Sequence, residues 1–413
     1  MKRLLVCFFS LVAMQVKSQE INPYFSAPAD SSAKRETGIF AGYSAGSNAI
    51  TNGFINSFYL GQFINNSQKQ EVESRLHASN RLGGDADGGI YYMQKIDSYH
   101  HHKINASWFV AIKSRQHADF SFSKDLFKVC FEGNDGYRGQ TADFSGFQMN
   151  VMQYQQFQAG FMGKYFGFSL SVYNGSQYQM LQAKTAQLYT SPMGDYLDFN
   201  ANYAMTVSNP SNSQPFANNG LGTGLDLYAR VPICVETKHA GQLYFEVSDL
   251  GFIRWNKKTD HYGNDTLYHF DGIAINNAFQ VADSSIHYSA KSILNAKVNS
   301  QSAYTAPLPA SFHVCYIPDG ETYQIVPGIR YRVDANYIPY EYVQVRYHIR
   351  KYLTLNAELG YGGYAGFQTG LSVQTILGRG FQLKAGTSNF LGYAFPAFTC
   401  GQGAFVSISK VFR

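Results

Sequence analysis

The sequence lacks the long hydrophobic runs of a helical membrane protein. After its first 18 residues, no segment offers the roughly 20 apolar residues that a membrane-spanning helix needs. Charged residues make up only 15% of the chain, and the net charge of +5 is small. A protein that binds nucleic acid would carry a basic patch or stripe. The composition therefore excludes both a helical membrane protein and a nucleic-acid-binding protein.

Cysteine is also scarce, with 5 residues in 413, and the four beyond the N-terminus are widely spaced. They are Cys130, Cys234, Cys315 and Cys400. This spacing matches neither the disulfide framework of a small domain nor a CxxC metal pattern. An oxidising compartment would permit disulfides, so their pairing stays open. Isolated small apolar residues are the favoured interpretation.

The N-terminus has the pattern of a secretory signal peptide. Lys2 and Arg3 precede the apolar run Leu4–Met14, and small residues follow it. This order predicts a signal peptide over residues 1–18 and a mature chain over 19–413. Cleavage would lower the net charge to +2, because three basic residues and no acid are removed.

Most of the remaining chain alternates apolar and polar residues with period two. In one segment the apolar set Leu353, Leu355, Ala357 and Leu359 alternates with Thr354, Asn356 and Glu358. Successive side chains of a strand point to opposite faces, so each such segment has one apolar face. Fifteen candidate strands of this kind occur, and closed bacterial barrels usually have an even number. The sequence predicts an all-β fold: a transmembrane antiparallel β-barrel of about 14 strands, in a single domain over residues 19–413.

Charged residues lie on the face opposite the apolar one. A charge on the lipid face costs about 2–4 kcal/mol near the membrane centre, so these residues are expected to face the lumen. They are Arg230, Glu246, Arg330, Arg332, Arg346, Glu358 and Lys384. Two functions are open to them. They can form a selectivity or ligand-contact surface, or they can fill the lumen as neutralising pairs.

Aromatic residues are abundant at 16%, with 31 Tyr and 32 Phe. Membrane barrels place aromatic girdles at both interfaces. Five tyrosines near predicted strand ends are candidates for such girdles: Tyr337, Tyr340, Tyr352, Tyr361 and Tyr364. The alternative is a tyrosine-rich secreted β-sandwich.

Two stretches break the alternation. Residues 54–76 space their apolar side chains at helical intervals but also carry several charges. We expect a plug-like helical segment within the barrel mouth or lumen, with Phe54, Phe58, Phe63 and Leu76 against the wall. Residues 256–309 are polar and predict a long loop, with a short helix around Ser289–Val298.

No motif makes a convincing catalytic or metal site. Gly42–Gly46 matches G-x-S-x-G around Ser44, but that elbow needs an α/β sheet, so a hydrolase is a weak alternative. His100, His101 and His102 are adjacent, and neighbouring strand residues point in opposite directions. We predict a non-enzymatic protein without cofactor or metal.

Several strings resemble a known group of proteins. They are Val247–Trp255, His269–Gly272, Leu308–Ala310, Gly360–Tyr364, Asn80–Gly84 and Gly88–Tyr91. The chain resembles a family of uncharacterised outer-membrane barrels from Bacteroidota. That family is distantly similar to the long-chain fatty-acid transporter barrels and to barrel proteins of the type 9 secretion and gliding machinery. The resemblance implies location and architecture, and it carries over no functional residue.

These observations favour an outer-membrane barrel that conducts a small hydrophobic molecule. The alternative is a closed structural or accessory barrel of a surface or type 9 secretion assembly. The expected partners are outer-membrane lipid and either a small hydrophobic ligand or other envelope proteins. An open or apolar-lined lumen would favour transport, and a lumen filled by salt bridges would favour the structural role.

Overall fold

The structure is a computed structural model that describes residues 34–96, 106–235, 238–271, 298–320, 322–333, 336–350 and 352–412. The predicted signal peptide, the triple-histidine cluster at 100–102 and nearly all of the predicted helix at 289–298 lie outside these residues.

The described chain consists mainly of strands. They are β1 (Arg35–Ser47), β2 (Ser79–Ile96), β3 (Ala106–Ser123), β4 (Gln140–Asp143), β5 (Gln148–Gly163), β6 (Phe166–Thr190), β7 (Leu197–Val207), β8 (Gly220–Val235), β9 (Lys238–Trp255), β10 (Asp260–Phe270), β11 (Ser300–Gln301), β12 (Tyr304–Pro307), β13 (Ser311–Pro318), β14 (Tyr323–Arg332), β15 (Ile338–Arg350), β16 (Leu353–Gly363), β17 (Gly366–Ile376), β18 (Phe381–Thr387) and β19 (Gly401–Phe412). The α-helices are α1 (Asn52–Tyr59), α2 (Asn66–Glu73), α3 (Lys124–Glu132) and α4 (Leu391–Ala394). Single 3₁₀ turns lie at Asp135–Tyr137 and Gly378–Gly380.

Fourteen strands close into an antiparallel barrel, which confirms the predicted architecture. Their order around the ring is β1, β2, β3, β5, β6, β8, β9 and then β13 to β19. The ring closes where β19 pairs with β1, from Arg35 opposite Phe412 to Gly46 opposite Gly401. Because every strand of a closed ring has two neighbours, the wall has no free edge.

The two ends of the barrel differ. At the end where β1 begins and β19 finishes, the terminal end, the described connections are short, such as Lys164–Tyr165 between β5 and β6. The opposite end, the loop end, carries the helices. Among the described residues, no helix is long and apolar enough to span a membrane.

A small sheet, the extension, projects from the loop end. It is built on the second half of β6, which pairs with β7 over Gln179–Thr190 and with β4. β7 in turn pairs with β10, so the long loop predicted over 256–309 is partly strand. β10 lacks the apolar alternation of the wall strands. Its exposed residues are a mixture of polar and apolar ones: Asn264, Asp265, Leu267, His269 and Phe270. At its tip His269 is hydrogen-bonded to Asp198 and Asp271, and these carboxylates raise the pKa of the imidazole.

The two faces of the wall follow the predicted alternation. Leu355, which belongs to the predicted apolar face, and Val345, which pairs with Ala357 of that face, are each 42% exposed on the outer surface. Their chain neighbours Arg346 and Asn356 pair across the inner face. Other exposed residues of the outer face are equally apolar: Ile90, Val110, Ile112, Leu170, Val172, Val343, Leu359, Leu371, Val406 and Ile408. The barrel is therefore apolar outside and polar inside.

The predicted helical segment is present, but it lies outside the lumen. α1 and α2 pack with α3 against Leu82, Phe120 and Met149 near the loop end. Asp119 points into the barrel, so its chain neighbour Phe120 points outward. Leu82 and Met149 lie directly opposite Phe120 on the two adjacent strands, in ladders without a register shift, and therefore share its outer face. The three helices therefore form a collar around the rim. The sequence could not show this, because lumen and outer rim both offer apolar contacts.

The collar buries only part of the predicted apolar set. Phe54 and Leu76 are buried, and Phe58 contacts Phe131 with ring centroids 5.9 Å apart. Phe63 is 87% exposed, contrary to prediction, because it lies in the link between α1 and α2. The charges of the collar pair with one another. Lys128 lies 2.6 Å from Glu73, and this hydrogen bond lowers the pKa of the Glu73 carboxyl.

Tyrosine rings fill the barrel from within by lying on glycines of neighbouring strands. Tyr91 lies over Gly38, Tyr173 over Gly224, Tyr342 over Gly328 and Tyr340 over Gly360. The girdle prediction is therefore wrong for Tyr340 and Tyr364, which are buried inside. Tyr352 and Tyr361 are exposed. Parity explains the difference, since strand-end position alone does not say which face a ring occupies.

We expect Gly360→Ala to destabilise the barrel by about 1–3 kcal/mol, the usual cost of overpacking. The new Cβ would overlap the Tyr340 ring and lie 2.8 Å from the Glu341 carbonyl oxygen. Tyr340 is fully buried and hydrogen-bonded to Glu358, so it cannot move aside freely. The measurement is the denaturant midpoint of the purified protein. Gly378→Ala, where open space surrounds the new Cβ, should leave that midpoint unchanged.

The lumen as candidate functional site

The structure places all seven predicted lumen residues on the inner face, but it does not bring them into one cluster. Arg330 lies 3.4 Å from Glu358, while Arg332 pairs with Asp85. The others lie apart. Glu246 accepts hydrogen bonds from Tyr244 and Ser248. Arg346 donates a hydrogen bond to Gln344, and the Arg230 guanidinium lies over the Tyr228 ring. Lys384 lies opposite Gln374 and Ser407 on the two adjacent strands.

The largest charged group, the ionic layer, is built mainly on β2, β3 and β9. Asp87 lies 3.3 Å from Arg115, which also pairs with Asp249. Asp85 lies 2.9 Å from His117 and pairs with Arg332 on β14. The side chains of Asp87, His117 and Asp249 are buried, whereas those of Asp85, Arg115 and Arg332 are 18–21% exposed. A charge away from bulk water is tolerated when it is paired. The arrangement has the form of a polar core.

The Asp85–Arg332 ion pair joins opposite sides of the barrel. Counting round the ring from β2 through β3, β5, β6, β8, β9, β13 and β14, the two residues stand half the circumference apart. A second contact reinforces it, because the backbone N–H of Asn336 donates to Asp119 on β3 over 3.0 Å. The opposing walls therefore meet in the interior.

A β-bulge in β9 adds a carboxylate to the ionic layer. The register of β8 and β9 shifts between Leu225 and Leu227, and Asp249 adopts a positive φ of 59° there. As a result Ser248 and Asp249 are both buried, and the Asp249 N–H donates to Asp226 over 2.7 Å. Bulges re-aim side chains in this way. Simple alternation gives Asp226 the inward parity of Arg230. It missed Asp249, although two successive polar residues before Leu250-Gly251 are a signal for a bulge.

A second polar cluster surrounds Arg330. Its guanidinium carbon lies 4.3 Å from the centroid of the Tyr342 ring. Tyr340 donates to Glu358 over 3.0 Å, and His313 Nε2 lies 2.7 Å from the Tyr342 hydroxyl oxygen. A cation over an aromatic face is stabilised most where water is excluded. This cluster continues the polar interior along β13 to β16.

Apolar and aromatic layers lie on both sides of the ionic layer. Toward the loop end, Trp255 stacks on Tyr178 with ring centroids 5.3 Å apart, and Ile253 and Leu308 complete this layer. Toward the terminal end the cluster contains Tyr91, Met93, Phe109, Tyr244, Cys315 and Val326. β9 passes through all three layers, from Trp255 through Asp249 to Tyr244.

A void in the ionic layer has a volume of about 10 Å³. Asp85, Asp87, His117 and Arg332 are among the residues that line it. It has room for about one water molecule.

The described residues offer no catalytic constellation. Ser44 lies within β1 opposite Asp85 and Gly403, not on the strand-to-helix elbow that a G-x-S-x-G hydrolase needs. Among the described residues no group of three or more histidine, cysteine or acidic side chains is arranged to hold a metal ion. What the arrangement can do is hold opposite walls together.

Fold and interior together define a closed antiparallel β-barrel with an apolar outer face and a side-chain-filled lumen. The chain belongs to the family of unknown function DUF5723, whose model matches residues 39–387. No curated protein matches the sequence.

Solved barrels are similar over nearly the whole chain, at low identity. A TodX deltaS2S3 mutant monoaromatic hydrocarbon channel is 10% identical, with 94% of this chain and 92% of that chain covered and a TM-score of 0.42. The toluene transporter TbuX of Ralstonia pickettii is 7% identical, with 92% and 90% covered and a TM-score of 0.39. A Pseudomonas aeruginosa FadL homologue is 11% identical, with 92% and 91% covered and a TM-score of 0.37.

We expect Arg332→Met to destabilise the protein by about 1–3 kcal/mol, because it leaves the Asp85 carboxylate without its partner. The cost is below that of a fully buried pair, since the Arg332 and Asp85 side chains are 21% and 18% exposed. Asp85→Asn should have a similar effect. The double variant should be less destabilised than the sum of the two, because it leaves neither charge unpaired across the barrel. Denaturant unfolding of the purified protein measures all three. Arg346→Met is the matched control, since its partner is the neutral Gln344 amide. Strictly additive losses would show that the pair does not couple the walls.

Proposed function

We propose that the protein is an integral barrel of the bacterial outer membrane whose lumen is closed by its own side chains, and that it serves as a structural or accessory component of an envelope assembly. The observation that carries this proposal is the ion pair between Asp85 and Arg332, which connects opposite walls.

The membrane location is supported by the outer face of the wall. Leu170 is 62% and Leu359 59% exposed, and such residues recur around the ring. A water-soluble protein rarely exposes a continuous apolar surface of this extent. In lipid the same surface is favourable, and a closed ring satisfies all backbone hydrogen bonds internally.

The closed lumen is supported by the burial of its charges. Lys113 is 2% exposed and Asp226 1%, although both lie on the inner face of the wall. A water-filled channel would hydrate such groups. Desolvating a charge costs several kcal/mol unless partners compensate, and here carboxylates and cations compensate one another.

An accessory role would use the loop end. The collar and the extension lie there, and both present structured surfaces beyond the wall. Membership of a type 9 secretion or gliding assembly stays a prediction that rests on the resemblance of sequence strings.

Conduction of a small hydrophobic molecule is the second candidate. The apolar layers on both sides of the ionic layer favour it, because each offers apolar surroundings within the barrel. Trp255 lies in one of them and is fully buried. In a Trp108→Phe variant, which leaves Trp255 as the single tryptophan, a saturable fluorescence change with an added fatty acid or hydrocarbon would support this candidate.

We expect Val345→Arg and Leu355→Arg to reduce the amount of assembled protein in the outer membrane strongly. Each would place a charge on the apolar outer face, at about 2–4 kcal/mol near the membrane centre. Arg346→Ala and Lys384→Ala change inner-face residues of the same region and should assemble nearly normally. The readout is the heat-modifiable folded band in membrane fractions. Equal tolerance of both pairs, or folded protein in the soluble fraction, would contradict a lipid-facing outer surface.

We also expect the purified, folded protein to show no steady ion conductance in planar bilayers. The reason is that the Asp85–Arg332 ion pair spans the lumen, and the void beside it has room for about one water molecule. Removing residues 54–76 should not change this, since the collar lies outside the wall. Stable open-channel steps of the full-length protein would overturn the closed-lumen proposal and favour a conduit.

A further inference from the structure

The connection between β18 and β19 is held firmly against the rim. β18 stops at Thr387, whereas its neighbours β17 and β19 continue toward the loop end. The side chain of Asn389 spans the space that β18 leaves. It accepts from the Thr369 N–H over 3.2 Å and donates to the Gly401 carbonyl over 2.7 Å. Asn389 is 1% exposed, so the segment 388–400 starts from a fixed point in the wall.

This segment lies on the outer side of the barrel. The Tyr393 hydroxyl is hydrogen-bonded to that of Tyr43. Tyr43 shares the outer-face parity of Ile39 on β1, which is 55% exposed. Asn52, at the start of the collar, donates to the Gly392 carbonyl over 3.1 Å. The segment therefore continues the collar around the rim, over β18, β19 and β1.

The exposed side chains of the segment are aromatic. Phe390 and Tyr393 are each 45% exposed, Phe395 is 56% and Phe398 is 66%. We name these four residues the aromatic rim. No charged residue occurs between Lys384 and Lys410. The helices α2 and α3, in contrast, carry Lys69, Glu71, Glu73, Lys124 and Lys128.

We propose that the aromatic rim lies at the boundary between headgroups and acyl chains of the surrounding membrane and anchors this side of the barrel there. This inference rests on the proposed membrane location. Aromatic residues are favoured at that boundary, where an apolar ring meets a polar tip. The rim is also continuous with the apolar outer face, through Val406 and Ile408 on β19 and Phe367 on β17.

The lack of charge selects lipid over a polar partner. A surface that binds a charged peptide or an acidic polysaccharide would supply complementary charges, and the aromatic rim has none. The polar side chains that hold the segment 388–400 in place, Asn389 and Asn52, point toward the protein and donate hydrogen bonds to the backbone carbonyls of Gly401 and Gly392. The structure thus assigns a lipid contact to one sector of the rim, where β18 is short.

The test uses full-length protein with Trp108→Phe, reconstituted in phospholipid vesicles. A single new tryptophan is introduced as Phe398→Trp in the rim, Val406→Trp on the outer wall, or Met193→Trp at the tip of the extension, where Met193 is 82% exposed. Trp255, which is fully buried, gives the same background in every variant. Quenching is measured with lipids brominated near the headgroup, with lipids brominated at mid-chain, and with aqueous acrylamide.

We expect shallow bromines to quench Phe398→Trp, mid-chain bromines to quench Val406→Trp, and acrylamide to quench Met193→Trp several-fold more than either. If Phe398→Trp behaves like Met193→Trp while Val406→Trp is quenched by lipid, the rim inference is wrong and the membrane location stands. Protection of Phe398→Trp from all three quenchers would mean that protein covers the rim, and this also overturns the inference. If Val406→Trp escapes lipid quenching, the proposed membrane barrel itself fails.

Discussion

The pairing of buried charges across the lumen is the constraint on which the rest of the structure depends. Asp85 can meet Arg332 only if two strands half a ring apart approach each other. That approach reduces the access of water to the ionic layer, so the charges that are buried there, such as Asp87 and Asp249, depend on a partner. Arg115 meets this need by binding both Asp87 and Asp249. The barrel thus contains a core as a soluble domain does, with its polar part in the middle.

The many tyrosines on the inner face also follow from the short distance between opposite walls. Where opposite walls approach each other, inward-facing side chains must fill the remaining space and still lie flat against the wall. A tyrosine on a neighbouring glycine satisfies both conditions, as Tyr340 does on Gly360. Its hydroxyl can then reach a carboxylate such as Glu358. The abundance of tyrosine is therefore a property of the interior at least as much as of the membrane interfaces.

Alternation in the sequence was sufficient to predict the barrel and the face of most wall residues, because parity is a local property of each strand. The strand number of about 14 also needed the rule that closed bacterial barrels usually have an even number of strands. Alternation was insufficient wherever the structure depends on another element. Asp249 faces inward because of a bulge whose register is set by β8. Phe54 is buried on the outer side because α3 packs there. Phe63 fits the helical spacing but lies in a link. Asp85, the partner of Arg332, and Asp249, the second partner of Arg115, lie on distant strands, so no local pattern could identify them.

Strand β6 takes part in both the barrel wall and the extension, and this has a mechanical consequence. One continuous strand of 25 residues belongs to the wall in its first half and to the extension in its second. A pull on the extension would therefore act along the axis of a wall strand. It would load the ladders to β5 and β8 in shear, so that many hydrogen bonds would resist together. The extension is thus joined to the barrel by one continuous backbone, and a force at its tip would be transmitted to the wall.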